Sequence, residues 1–169
     1  MTIPVIILVG HGAAARDCPR DLVSRLKQLE GARRARGAPA SDEERELDRR
    51  VRGWLRTPET DPYGAGLERL RAALAARLPD ARVVAAFNEL ASPSLEDAAR
   101  AAIGEGARAI FVVSSMPTPG GIHAEEEIPE TLAALRREYP DVDIRYAWPF
   151  EPAAVAELFA AALARAGLP

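Results

Sequence analysis

A chain of 169 residues has room for one domain with a sizeable core, and a content of 48% hydrophobic and 28% charged residues describes a globular protein rather than a disordered one. A formal net charge of -3 leaves no basic footprint of the kind nucleic-acid binders carry. The single cysteine, Cys18, excludes an internal disulfide and any Cys-x-x-Cys metal site, which points to the cytoplasm.

The apolar run Ile3 to Val9 has no basic leader or small-residue cleavage site and is too short to cross a bilayer. It is expected as a first strand buried on both faces, ending at Gly10-His11-Gly12, where glycine lets the backbone turn sharply. A helix follows from about Pro19 or Asp21, with Leu22, Leu26 and Leu29 on one face for packing on the sheet. From Arg33 to Pro62 the chain becomes strongly charged, with a break at Gly37-Ala38-Pro39 and a narrow stripe of Leu47, Val51, Trp54 and Leu55. This segment reads as a helical insertion at about 33–62, on the surface or over the site, within a single domain spanning 1–169. Trp54 is its expected anchor.

A proline-punctuated loop, Arg56 to Gly64, leads into a helix marked by Leu67, Leu70, Leu74 and Leu78. Arg82 to Phe87 is the second strand and runs into Asn88-Glu89-Leu90. Ser94 and Asp97 predict a capping box for a helix that buries Leu95, Ala98, Ala99, Ala102 and Ile103 and stops at Gly104 and Gly106. Ala109 to Val113 reads as a buried third strand. Ser114 to Pro129 is then a strand-to-helix loop that sets His123 beside Glu125, Glu126 and Glu127. Ile128, Leu132 and Leu135 define the next helix, Val142 to Ala147 the fourth strand, and Trp148-Pro149-Phe150 closes it. The last helix gathers Val155, Leu158, Phe159, Ala162 and Leu163 on one face before Gly167.

Strand and helix alternate four times, which predicts an α/β three-layer sandwich built on a four-stranded parallel sheet. In such a sheet all C-terminal strand ends share one edge, and ligands bind there where strand order reverses. His11, Glu89 and His123 follow the first, second and third strands, so both histidines of the chain face one edge.

Gly10-His11-Gly12-Ala13-Ala14-Ala15 matches a dinucleotide fingerprint in form only, because Pro19 and the Arg16-Asp17 pair stand where the phosphate-binding helix should already run. No P-loop is present. A histidine before glycine at the end of a first strand also occurs in phosphohistidine enzymes, but Gly10 stands where they carry the arginine that grips phosphate. Two imidazoles and several carboxylates at one cleft suit reversible handling of a divalent transition metal, since neutral imidazole ligates it and both groups take protons. With no four-ligand set for closed structural zinc, the pattern favours an open, transient site.

Gly10-His11-Gly12, Phe87-Asn88-Glu89, Gly120-Gly121-Ile122-His123, Glu127-Ile128-Pro129 and Tyr146-Ala147-Trp148-Pro149-Phe150 together resemble the CbiX/SirB class of sirohydrochlorin chelatases. The resemblance covers most of the chain except roughly Arg33 to Pro62. It implies a chelatase-like fold and ATP-independent insertion of cobalt, iron or nickel into a sirohydrochlorin-type tetrapyrrole, with the metal as substrate and no permanently bound cofactor. It further implies that His11 and His123 bind the metal and accept pyrrole protons, with Glu89 assisting in proton transfer or metal delivery.

Arg16, Arg56, Ser114 and Ser115 are the candidates for holding the carboxylates of such a substrate. Trp148 and Phe150 are expected as a lid on the core, with stacking on the macrocycle as the alternative. Glu127 is the best candidate for a partner of His123, and Cys18 is expected to be inert. Ala13 departs from the serine often found after His-Gly in the family. The small, single-lobed members pair as homodimers, so the resemblance implies a symmetric dimer, with a monomer whose insertion covers the cleft as the alternative; neither nucleic acid nor membrane is an expected partner. Two other functions stay open at this point: a non-catalytic metal or tetrapyrrole carrier, and phosphoryl transfer by His11.

Overall fold

The computed structural model describes residues 3–168. Four strands, β1 (Val5–Gly10), β2 (Arg82–Phe87), β3 (Ala109–Ser114) and β4 (Asp143–Tyr146), form one parallel sheet in the order β2-β1-β3-β4. Val5 pairs with Arg82 on one side and Ile110 on the other, and Ile110 pairs with Ile144. The chain leaves β1 for one neighbour and later returns to its other side, so strand order reverses between β1 and β3. A crevice opens there at the C-terminal edge.

Among the described residues six helices connect and flank the strands: α1 (Arg20–Arg36), α2 (Asp42–Arg52), α3 (Pro62–Ala75), α4 (Leu95–Gly104), α5 (Ile128–Glu138) and α6 (Pro152–Arg165). Local chemistry sets their ends. Gly37, in the left-handed conformation at φ 60°, closes α1 without the penalty a Cβ would bring. Ser41, Asp61 and Ser94 cap α2, α3 and α4, their side chains accepting from the N–H groups of Glu44, Gly64 and Asp97. Pro62 fits the first turn of α3, where its missing N–H costs nothing.

The main core lies between one face of the sheet and α4 with α5. There Ile7, Val9, Ile110 and Val112 meet Ala99, Ile128, Leu132 and Leu135, all essentially without solvent contact. Each of the valine, leucine and isoleucine side chains contributes about 1.5–3 kcal/mol by leaving water. On the other face α3 covers the β2 side through Leu67, which packs with Leu8 and Phe87.

Several expectations are corrected. α1 does not pack on the sheet: Leu22 and Leu26 join Leu47 and Val51 of α2, Leu90 and Cys18 in a separate cluster, to which Trp54 adds its ring. The apolar stripe of α2 meets that of α1, so the two helices satisfy each other. The first residues of the charged segment belong to the end of α1, and only α2 and its flanking turns form a new element. On α3 Leu70 is exposed, and Leu78 lies exposed beyond the end of that helix. α4 does stop at Gly104, as expected, and of the two glycines it is Gly106 that takes the positive φ. In β3, Ile110, Val112 and Ser114 are buried whereas Ala109, Phe111 and Val113 are only half-buried, so the strand is covered on one face alone. The expected apolar face of α6 is present, but no residue of that helix is buried.

Candidate metal centre

The loops after β1 and β2 are stapled together. Asn88 N–H donates to the Gly10 carbonyl and Glu89 N–H to the His11 carbonyl, at 2.8 and 2.9 Å, extending the strand pairing past Phe87. Gly12 adopts φ 94°, and a Cβ there would stand 1.8 Å from the Glu89 carbonyl oxygen. Only glycine lets the two loops approach so closely. The Tyr63 hydroxyl accepts from His11 N–H at 2.7 Å, which ties α3 to the same turn.

His123 comes from the loop after β3. His123–Glu127 form a single π-helical turn, closed by a hydrogen bond from Ile128 N–H to the His123 carbonyl. Pro129 explains the wide turn: it has no N–H to return to Glu125, and its ring crowds that carbonyl. The turn places His123 and Glu127 side by side, with Nδ1 and Oε2 2.7 Å apart. Glu127 is thus the partner expected for His123.

The two imidazoles converge at the crevice. His11 Nε2 and His123 Nε2 are 3.1 Å apart, with ring centroids at 4.6 Å and planes perpendicular. His11 Nδ1 is 2.8 Å from the Gly12 carbonyl, which can only accept, so the proton sits on Nδ1. On His123, Nδ1 has both the Glu127 carboxylate at 2.7 Å and the Asn88 amide nitrogen at 2.8 Å, and the carboxylate, a charged acceptor, favours the same tautomer while the amide turns its N–H to Glu127. Both Nε2 lone pairs therefore point into one space. Glu89 completes the group: one ligand atom from each of His11, Glu89 and His123 can be chosen so that all three lie within 4.8 Å of one another. At metal–nitrogen distances of about 2.1 Å, nitrogens separated by 3.1 Å subtend roughly 95° at the ion, an ordinary angle between neighbouring ligands. The His11 side chain is 43% exposed, so the centre is open on one side.

Charges are arranged around these groups in pairs. Burial opposes ionisation of Glu127, but hydrogen bonds from His123 and Asn88 and the charge of Arg34 outweigh it and hold its pKa below the usual carboxylate range. Asn88 Nδ2 donates to Glu127 Oε2 at 2.5 Å. Glu89 Oε1 lies 3.5 Å from His11 Nδ1, while its Oε2 receives the Lys27 ammonium at 2.5 Å. A cleft of about 680 Å³ opens beside Glu89 and Glu127, walled by α1, α2 and the start of α5.

Arg56, expected on the substrate, is instead a brace. Its guanidinium pairs with the buried Asp61 at 2.8 Å and donates to the carbonyls of Ala13 and Leu90, one in each loop of the site. Arg52 adds bonds from α2 to the Ala91 and Asn88 carbonyls. The Ser114 hydroxyl is buried and accepts from Met116 N–H, so its donors and acceptors are turned inward. Ser115 is half-buried beside Tyr63 and Leu67, and Arg16 is exposed over the Thr60 loop. Trp148 and Phe150, expected as a lid on the core, are half-buried and extend a row from Tyr146, with centroids 6.2 and 5.3 Å apart. Burial first, with Glu125 adding, pushes the Tyr146 phenol up to about 12 despite its bond with Ser114. Burial likewise raises the Cys18 thiol and keeps it unreactive. Lys27, Arg34 and Tyr63 carry no motif in the sequence and emerge only from the geometry; Asn88 could have been found from its place beside Glu89.

A CbiX family model matches residues 59–166. A sirohydrochlorin ferrochelatase from Priestia megaterium is 38% identical over 64 residues, which make up 38% of this chain and 24% of that protein. Two solved structures share the fold. SirB from Bacillus subtilis with Fe3+ aligns with a TM-score of 0.52 at 20% identity, covering 99% of this chain and 49% of SirB. A protein from Marinobacter aquaeolei VT8, described as a CbiX protein of cobalamin (vitamin B12) biosynthesis, aligns with a TM-score of 0.53 at 21% identity over 96% of this chain and 98% of its own. The chain thus spans about half the length of SirB. The family match runs from the loop ahead of α3 to the end of α6 and includes Glu89 and His123, while His11, at the end of β1, lies well ahead of where it begins: the chain belongs to the CbiX family.

Proposed function

We propose that this chain is a metal chelatase that inserts a divalent cobalt, iron or nickel ion into a sirohydrochlorin-type tetrapyrrole without nucleotide hydrolysis. The observation that carries this reading is the meeting of His11 Nε2 and His123 Nε2 at 3.1 Å with Glu89 beside them, open to solvent on one side. The ferrochelatase relative and family membership support the substrate class. The metal is a substrate, held by His11 and His123. As it enters the macrocycle, its bonds to the imidazoles break while bonds to ring nitrogens form. Two pyrrole protons leave the ring, and the freed Nε2 atoms accept them, with Glu89 as a further acceptor. Open coordination favours this exchange because a closed four-ligand cage would retain the ion.

The same proposal includes a symmetric homodimer in the cytoplasm. α6 presents Leu158, Phe159 and Leu163, each more than half exposed, while one face of β3 lies half-open. A helix wanting a surface and a sheet face wanting a helix occur in one chain, so two copies related by a twofold axis can satisfy both at once. The lone buried Cys18 supports a reducing compartment.

Anaerobic incubation with sirohydrochlorin and Co2+, Fe2+ or Ni2+ salts, followed by the macrocycle's absorption, tests the activity. Metal-dependent spectral change above the uncatalysed rate is expected, and it should vanish in folded His11→Ala and His123→Ala variants. No acceleration with any of the three metals overturns the chelatase; saturable binding without turnover identifies a carrier instead.

A further inference from the structure

Each histidine of the centre is backed by a carboxylate, and each of those carboxylates is held by a cation from the same helix. Lys27 Nζ lies 2.5 Å from Glu89 Oε2, whose other oxygen faces His11. Arg34 contacts Glu127, whose Oε2 faces His123. Lys27 and Arg34 are seven residues apart on α1, which is two turns, so they stand on one face of that helix. α1 belongs to the α1–α2 layer rather than to the sheet, and that layer has its own apolar cluster and the Arg33–Glu44 and Arg25–Glu43 ion pairs. The cations and the imidazoles are therefore set by different parts of the fold.

Resting on the reading of His11, Glu89 and His123 as the metal centre, we propose that Lys27 is an electrostatic latch on Glu89 that keeps metal binding weak enough for release. An arriving dication and the Lys27 ammonium compete for one carboxylate. Glu89 is largely buried, with its side chain 14% exposed, so it cannot spread its charge into water and must choose between them. The Lys27 side chain is 38% exposed on a flexible stem and can withdraw toward Glu30, whose carboxylate is already 3.3 Å away. Glu30 thus offers the displaced ammonium a second partner. Binding then proceeds by exchange: the ammonium passes from Glu89 to Glu30 as the metal takes the Glu89 oxygen. When the metal leaves for its acceptor, the ammonium returns. Arg34 does not compete in this way, because Glu127 stands behind His123 and orients the ring. Lys27 is a positioning residue, acting through Glu89 and touching no substrate.

Calorimetric titration of the full chain with cobalt(II) chloride tests this, using wild type, Lys27→Met, Lys27→Arg and the His11→Ala/His123→Ala double variant. Lys27→Met should bind cobalt about two- to fivefold more tightly, the range that half-exposed ion pairs support. Lys27→Arg, which keeps the charge, should return toward wild type. A merely structural lysine would leave the affinity unchanged or weaken it in Lys27→Met, and either result overturns the latch. The double variant separates the two levels. Cobalt binding that survives loss of both imidazoles, or that is absent from wild type and Lys27→Met alike, overturns the centre itself; binding that needs the histidines but ignores Lys27 overturns only the latch. Tighter binding without the lysine and recovery with arginine support it.

Discussion

α5 and α6 begin alike and end differently. Each follows the C-terminal end of a parallel strand, each has a proline in its first turn, and each repeats apolar side chains at helical spacing. α5 buries Ile128, Leu132 and Leu135 against the sheet, whereas α6 buries nothing. The difference teaches that periodicity shows which face of a helix seeks burial without showing what will cover it. For α5 the surface is the chain's own sheet. For α6, in the dimer proposed above, it is a second copy.

Four changes test how far that contrast goes. Leu132→Ala should cost about 2–5 kcal/mol in denaturant unfolding, because Leu132 is wholly enclosed and its removal leaves a cavity. A cost below about 1 kcal/mol would mean that the α5 interface collapses around the gap and is looser than its burial implies. Phe159→Asp should convert the dimer to a monomer by light scattering while the circular dichroism stays native, since an aspartate desolvated at an interface is strongly unfavourable. A variant that remains dimeric would take α6 out of the interface.

The third change lies where the two helices are joined. Tyr146 donates from its hydroxyl to the Ala124 carbonyl ahead of α5 and opens the aromatic row that leads to α6. With its pKa raised from 10.0 to about 12, the folded state binds the phenolic proton more tightly than the unfolded chain. Its contribution is fully present below 10 and is lost as pH rises toward 12. Tyr146→Phe should therefore flatten the alkaline limb of stability between those values. Glu127 gives the opposite sign and the smallest effect. Its depressed pKa contributes stability above the unfolded carboxylate value of 4.5, and that contribution is lost as pH falls through the lower folded value. Glu127→Gln should flatten the acid limb alone. A change at neutral pH with no change in slope would mean that the residue acts by packing.

Much of the sheet was legible because short runs of apolar and β-branched residues between turn residues mark strands whatever surrounds them. Arg82–Phe87 was read to the residue, and the histidines could be assigned to one edge because parallel topology leaves them no other. What escaped depends on partners distant in sequence. Arg56 looked like a free cation until the Asp61 turn and two carbonyls from different loops closed around it. Lys27 meets Glu89 sixty-two positions away, and no local pattern announces such a pair. The Leu22 and Leu26 face was correctly apolar, but only the presence of α2 decided that it would turn away from the sheet.

The π-helical turn at His123–Glu127 gives the chain one residue of slack between the proposed metal centre and the core. Each residue of an α-helix turns the next by about 100°. Removing one residue from the turn, and restoring ordinary helical winding, would swing His123 by about that angle away from His11 while Ile128, Leu132 and Leu135 kept their seats. The aim of the histidine and the packing of the helix behind it can therefore vary separately, which lets the centre be retuned without rebuilding the core.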